Sequence, residues 1–245
     1  MNTKTVVITG GTTGIGFACA QHLLANGYEV VITGKSEKNL STALKRLDNK
    51  VTGFISDTSN LSDIDYLVKK VKNKFGKIDG LFINAGIFKS ESLESTSEEL
   101  FDETMNVNFK GAFFTVQKFI PIMNNPSSIV LTSSVVVFKA FSNTSVYTAS
   151  KAALESVAKV FNIELASKGI RVNILAPGVT ESDIQQKSGM NDEEIKNLLK
   201  HFSDTSPIGR ILNPQDMAPI LEFLISDKSL VLRNEKIIVD VGTTM

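Results

Sequence analysis

Short β-branched and aliphatic runs return seven times along this chain, at residues 5–9, 29–33, 50–55, 79–84, 128–133, 171–176 and 236–241. Most are nearly continuous apolar stretches, as expected of strands covered on both faces. Stretches of helical period lie between them, at 14–26, 37–47, 61–75, 97–123, 148–168 and 215–226. That alternation predicts an α/β fold, a doubly wound seven-stranded parallel sheet with right-handed crossovers and helices on both faces. A chain of 245 residues fits one core. Without a linker, repeat or low-complexity segment it reads as one domain, 1–245. The rhythm breaks once, at 180–210, a polar excursion after a strand end with a short helical pattern at 191–202. A long connection in that position is expected to form a lid over a binding site.

Composition removes several function classes. Twenty-six basic residues balance twenty-six acidic ones, so no net field favours nucleic acid or a membrane surface. No apolar run reaches the ~18 residues of a spanning helix. The opening "MNTKTVVITG" enters a strand directly, without the cleavage region of a signal peptide. Cys19 is the single cysteine, which excludes an internal disulfide and fits a reducing compartment; the expected location is cytoplasmic. His22 and His201 stand far apart, in no metal-ligand spacing, so no metal site is expected.

Two stretches carry chemistry. The first predicted strand runs into "TGGTTGIG" (residues 9–16) and then a helix. Glycines at 10, 14 and 16 let backbone approach a ligand closely, and the helix start offers unpaired N–H groups to a phosphate. The second is the helix around 148–168. The series Tyr147, Lys151, Leu154, Ala158, Phe161, Leu165 has 3–4 spacing, and its last four members are an apolar stripe. Tyr147 and Lys151 continue the stripe, so a phenol and an ammonium point inward. Lysine is rarely buried without a partner, and snorkelling of Lys151 to solvent is the alternative.

The TGxxxGxG turn, Asn84-Ala85-Gly86 after the fourth strand, "NVNFKG" at 106–111, YxxxK on a helix and "PGVTESD" at 177–183 occur in order along the whole chain. Together they resemble the short-chain dehydrogenase/reductase family. The resemblance implies a Rossmann-type fold and hydride transfer between a nicotinamide and a carbonyl or carbinol carbon. It implies Tyr147 as general acid/base, Lys151 as the cation that lowers the phenol's pKa and holds the ribose, and Ser134 as the hydroxyl that orients substrate. Ser133 competes with Ser134 and is otherwise expected to bond to backbone. Asn108 matches the asparagine that holds a water leading towards the lysine; its alternative is a polar residue at a helix kink. For the cofactor the resemblance implies Gly10, Thr12, Thr13, Gly14, Ile15 and Gly16 at the phosphates. Asp57 is implied at the adenine, unless it caps the helix beginning near Leu61. Asn84, Ala85 and Gly86 would lie beneath the cofactor, and Pro177, Gly178 and Ser182 by the nicotinamide. Relatives that prefer NAD usually carry an acid where Gly34 stands. Lys35 and Ser36 instead suit a 2′-phosphate, so NADP(H) is favoured over NAD(H).

Phe88, Val136, Phe138, Phe141 and the 180–206 segment are candidate walls for a partly apolar carbonyl compound. Reduction of 3-oxoacyl groups on acyl carrier protein is the alternative, disfavoured because no basic cluster adjoins the site. A cofactor-binding subunit without catalysis is the rival from another class. A longer-chain epimerase would need a C-terminal domain for which no residues remain. The family resemblance also implies a homodimer or homotetramer through 97–123 and 148–168. Arg233-Asn234 and Val241-Gly242 depart from the Thr-Gly and Gly-Gly of relatives, which puts the usual tetramer packing in question but is not expected to touch the catalytic groups.

Overall fold

The computed structural model describes residues 3–182 and 184–245. Seven strands form one parallel sheet: β1 (Thr5–Ile8), β2 (Glu29–Gly34), β3 (Thr52–Ile55), β4 (Ile78–Ile83), β5 (Met123–Thr132), β6 (Ile170–Pro177) and β7 (Lys236–Val239). Their order is β3-β2-β1-β4-β5-β6-β7. The sequence reverses direction between β1 and β4, so a crevice opens at the carboxyl ends of those two strands, where ligands of doubly wound sheets bind.

Among the described residues eight α-helices connect the strands: α1 (Gly14–Ala25), α2 (Glu37–Arg46), α3 (Leu61–Phe75), α4 (Glu98–Met105), α5 (Ala112–Phe119), α6 (Ser145–Glu164), α7 (Asp192–Thr205) and α8 (Ala218–Ile225). Because side chains alternate along each strand, the sheet feeds two cores. Val6, Ile8, Val30 and Ile32 pack with Phe17 and Leu23 of α1, Leu40 of α2 and Leu221 of α8. Val7, Val31, Ile129 and Leu131 pack on the other face with Leu67 of α3, Val116 of α5 and Leu154 of α6. The prediction of one helix over 97–123 is corrected. A π-turn at Asn106–Gly111 separates α4 from α5, and the helical run ends by Ile122, just after Pro121. Strand β5 accordingly begins earlier than expected, at Met123, with a register shift against β4 between Ile78 and Gly80.

Candidate active site

The glycine turn sits where β1 meets α1. Gly14 has φ +54°, and a Cβ there would find only Ser182 Cβ, at 3.3 Å. Gly16 has a different task, since its Cβ would lie 2.3 Å from Gly10 O, so helix and turn could not close on each other. Thr13 caps α1 without a side-chain hydrogen bond, and the first turn contains no acid. The helix start therefore keeps its N–H groups and positive dipole end for an anion. Asn84 braces the turn from the next strand, with Nδ2 donating to the Thr9 and Gly10 carbonyls, each at 3.1 Å. Thr9 Oγ1 in return accepts from the Asn84 and Ala85 amides.

From this turn a cleft of about 760 Å³ runs along the carboxyl edge of the sheet. Gly10, Thr12, Thr13, Gly14, Ile15, Gly34, Lys35, Ser36, Asp57, Asn84, Ala85 and Gly86 line one part of it. Ser134, Tyr147, Lys151, Pro177, Gly178 and Ser182 line the other. Gly16 and Asn108, expected at the site, are not on its wall; both act from behind it. Asp183, the last residue of the 177–183 motif, lies outside the described residues. A nicotinamide dinucleotide suits this cleft: a glycine cradle at a free helix start takes phosphate, and the buried hydroxyls of Ser56 and Thr132 on the wall have no protein partner among the described residues. Asp57 accepts from the amide and hydroxyl of Ser59, while Asn60 caps α3 through the Ser62 amide, so the cap alternative for Asp57 is set aside. Ser36 caps α2 through the Asn39 amide, which orders the loop that presents Lys35.

Tyr147 lies in the first turn of α6 and Lys151 one turn on. Lys151 is 3% exposed, and its Nζ donates to the Thr132 carbonyl at 2.9 Å. Snorkelling is therefore excluded: the ammonium is anchored to the end of β5. Burial lowers its pKa to about 8. Nζ stands 5.7 Å from the centre of the Tyr147 ring. Burial pushes the phenol up to about 12, partly offset by the polar influence of the Ser134 hydroxyl. The phenol of the protein alone therefore stands above its ordinary value and not below it as expected, with desolvation the dominant cause. Phe88 stacks edge-on against Tyr147, centroids 5.1 Å apart, which supplies part of that dry surface.

Ser133 and Ser134 both line the cleft, and Ser133 Oγ donates to Glu155 Oε1 at 2.6 Å, a side chain rather than the backbone partner expected of it. Asn108 is 1% exposed. Its Nδ2 gives its two hydrogens to Ile87 O and Ser150 Oγ, and Oδ1 accepts from Ile87 N. These bonds tie the loop after β4 to the π-turn and to α6. The place of Asn108 in the π-turn agrees with the kink alternative.

The far wall comes from loops. Ser90 N donates to Ser188 O and Glu91 N to Asn143 O, so the loop after β4, the loop before α6 and the 184–190 segment meet above the cleft. Val136, Phe141, Met190, Leu198 and Phe202 line it, with Phe141 and Phe202 in ring contact at 5.7 Å. Phe138 is not among them: it is 41% exposed beneath Lys236, whose Nζ is 4.2 Å from the ring centre. Sequence reasoning missed Lys89 and Lys187, which also line the cleft and count against the expectation that no basic cluster adjoins it. Neither lysine stands in a recognisable motif. The C-terminal segment also reaches the site: Gly178 N donates to Val239 O, and a Cβ on Gly178 would meet Asp240 Cβ at 2.8 Å.

A family model described as enoyl-(acyl carrier protein) reductase matches residues 10–244. The chain belongs to the short-chain dehydrogenase/reductase family. It is an oxidoreductase by that membership. It is 34% identical over 244 residues to the 3-oxoacyl-(acyl-carrier-protein) reductase of Thermotoga maritima, covering 98% of this chain and 97% of the relative. A short-chain glucose/ribitol dehydrogenase structure from Brucella melitensis superposes with TM-score 0.92 at 27% identity, covering 99% of this chain and 97% of that one. A 3-ketoacyl-(acyl-carrier-protein) reductase from the same organism, complexed with NADH, gives TM-score 0.90 at 29% identity, covering 99% and 98%. No described helix of this short-chain oxidoreductase is long and apolar enough to cross a membrane, and among the described residues no cluster of acidic, histidine or cysteine side chains suits a metal ion.

Proposed function

We propose that this enzyme reduces the carbonyl group of a small, partly apolar molecule using NADPH, with Tyr147 as the proton donor. The observation that carries the reading is the juxtaposition of a protonated phenol, the Ser134 hydroxyl and an anchored ammonium at the dry end of a dinucleotide-shaped cleft. When bound, the nicotinamide supplies a hydride to the carbonyl carbon. The charge that develops on the carbonyl oxygen then needs a proton and a hydrogen bond. Tyr147 Oη gives the proton, and Ser134 Oγ donates to the same oxygen. A phenol that holds its proton through neutral pH is in the form that reduction consumes. The ammonium of Lys151 faces the tyrosinate left behind and stabilises it, and its remaining hydrogens suit the ribose hydroxyls. Phe88, Phe141 and Phe202 give the substrate side an apolar, aromatic lining.

Gly34 in place of an acid and the ordered, exposed Lys35 beside the start of α2 support NADPH over NADH. Titration with each nucleotide, followed by nicotinamide fluorescence, tests this. Tighter NADPH is expected, and Lys35→Ala should weaken NADPH by about 10-fold with little change for NADH. Equal losses for both would remove Lys35 as the reader of the 2′-phosphate. Carrier-bound 3-oxoacyl reduction remains the second reading, favoured by Lys89 and Lys187 at the cleft, whose charge suits an acidic carrier. The segment 180–210 acts as the substrate lid. The exposed Phe101, Val160 and Ile163 on α4 and α6 support a homodimer or homotetramer; sedimentation as a monomer would contradict it.

A further inference from the structure

Behind the cleft, one buried carboxylate has partners that all lead back to it. Glu155 is 7% exposed and lies one helical turn beyond Lys151 on the same face of α6. Its Oε1 accepts from Ser133 Oγ, and its Oε2 pairs with Lys236 of β7. The same ammonium covers the ring of Phe138. Ser133 precedes Ser134, and Phe138 closes the short helical turn that Ser134 caps through the Val136 amide. One ion pair therefore grips both ends of segment 133–138, with Ser134 inside it. Successive turns of α6 meet the end of β5 and the segment after it: Lys151 at the Thr132 carbonyl and Glu155 at Ser133, with Tyr147 one turn earlier lining the same cleft as Ser134. Stability alone does not account for the Glu155 contact. Lys236 keeps part of its side chain in water, where an ion pair adds little stability, and apolar side chains of similar volume hold a helix to a strand as well or better. What apolar groups lack is direction, and direction is what Ser134 requires.

We propose that the Glu155–Lys236 pair is a positioning device that fixes the Ser134 hydroxyl against Tyr147. The proposal rests on the catalytic reading above and adds two residues that touch neither substrate nor cofactor. The full chain with Glu155→Ala, Glu155→Gln or Lys236→Met tests it by two readouts. Glu155→Ala should lower kcat by about 30-fold, with KM for the ketone and Kd for NADPH within about 2-fold, because displacement of an orienting group by about 1 Å costs up to ~100-fold in rate. Glu155→Gln still accepts from Ser133 and should recover most of the loss, with Lys236→Met between the two. Amide hydrogen exchange reads the same displacement without turnover. The Val136 amide, bonded to Ser134 Oγ, should exchange about 10-fold faster in Glu155→Ala while Val130 in the sheet is unchanged. Unchanged kcat together with unchanged Val136 exchange overturns the proposal, and so does a rise in KM with kcat intact. Faster Val136 exchange in a protein that reduces no ketone supports the positioning role and defeats the reductase reading. Should Glu155→Ala fail to fold, Lys236→Met carries both readouts, since it removes only the half-buried partner.

Discussion

Lys151 is the residue on which the chemistry and the stability of this protein meet. Its ordinary pKa of 10.5 falls to about 8 because the ammonium is held out of water against one carbonyl. Below about pH 8 native and unfolded chains both carry the proton, and the full burial penalty is present. Between about 8 and 10.5 only the unfolded chain carries it, so this group makes stability rise with pH; the difference is on the order of 3 kcal/mol. Tyr147 works in the opposite sense only above pH 10, where the unfolded phenol loses its proton and the native one keeps it. Denaturant unfolding of wild type and Lys151→Met should therefore show their stability difference shifting in favour of the wild type between about pH 7 and pH 10. A difference that is flat across that range contradicts the burial of a charged lysine. The inward placement of Tyr147 and Lys151 was legible because motif and periodicity agreed on them, while Ser134 was read from the family resemblance alone. Their electrostatics were not, since the desolvation of a phenol depends on Phe88 and on loops distant in sequence. Glu155 did leave a signal: Tyr147, Lys151 and Glu155 are spaced four apart, and an acid on a buried stripe calls for a partner. Lys236 left none.

At the scale of elements, the βα rhythm gave strand number, parallel sense and helix placement because each run is covered on both faces and carries its own period. It failed where one helix changes winding. Nothing in the apolar pattern of 97–123 marks the π-turn at Asn106–Gly111, which exists because Asn108 must turn inward to reach Ile87 and Ser150. The end of the sheet was the other blind spot. Arg171 stands in a run that otherwise reads as a buried strand, and it is 2% exposed. Its guanidinium closes the C-terminal end of α8, with Nη2 and its two hydrogens set among the carbonyls of Leu224, Ile225 and Ser226 and Ser229 Oγ. Arg233 reaches the Ile170 carbonyl and Asn173 the Leu232 carbonyl, so polar side chains tie β6 to the connection before β7. Asn234 and Val241, where the family resemblance implies glycine, adopt φ +58° and +53°. The backbone thus keeps a glycine-like course there without glycine, at a cost that is greatest for the β-branched Val241.

The whole molecule is a sheet whose carboxyl edge is opened by its topology and roofed by three loops. One end of that edge is built for an anion, through Gly14, the uncapped start of α1 and Lys35. The other is built to hold a protonated phenol and a fixed ammonium in apolar surroundings. The glycine spacing revealed the first end. The shape of the second, with Phe141 against Phe202 and with Lys89 and Lys187 on its lining, depends on how 88–91, 141–144 and 184–190 fold over one another, and local sequence carries no record of that. The central claim is that Tyr147 delivers the proton in a carbonyl reduction. Its most direct test is NADPH oxidation by wild type and Tyr147→Phe with an aromatic ketone, alongside NADPH binding to both. The account predicts that the variant turns over about 10³-fold more slowly while its Kd for NADPH stays within about 2-fold. Equal turnover, or a loss explained by NADPH binding alone, would contradict it.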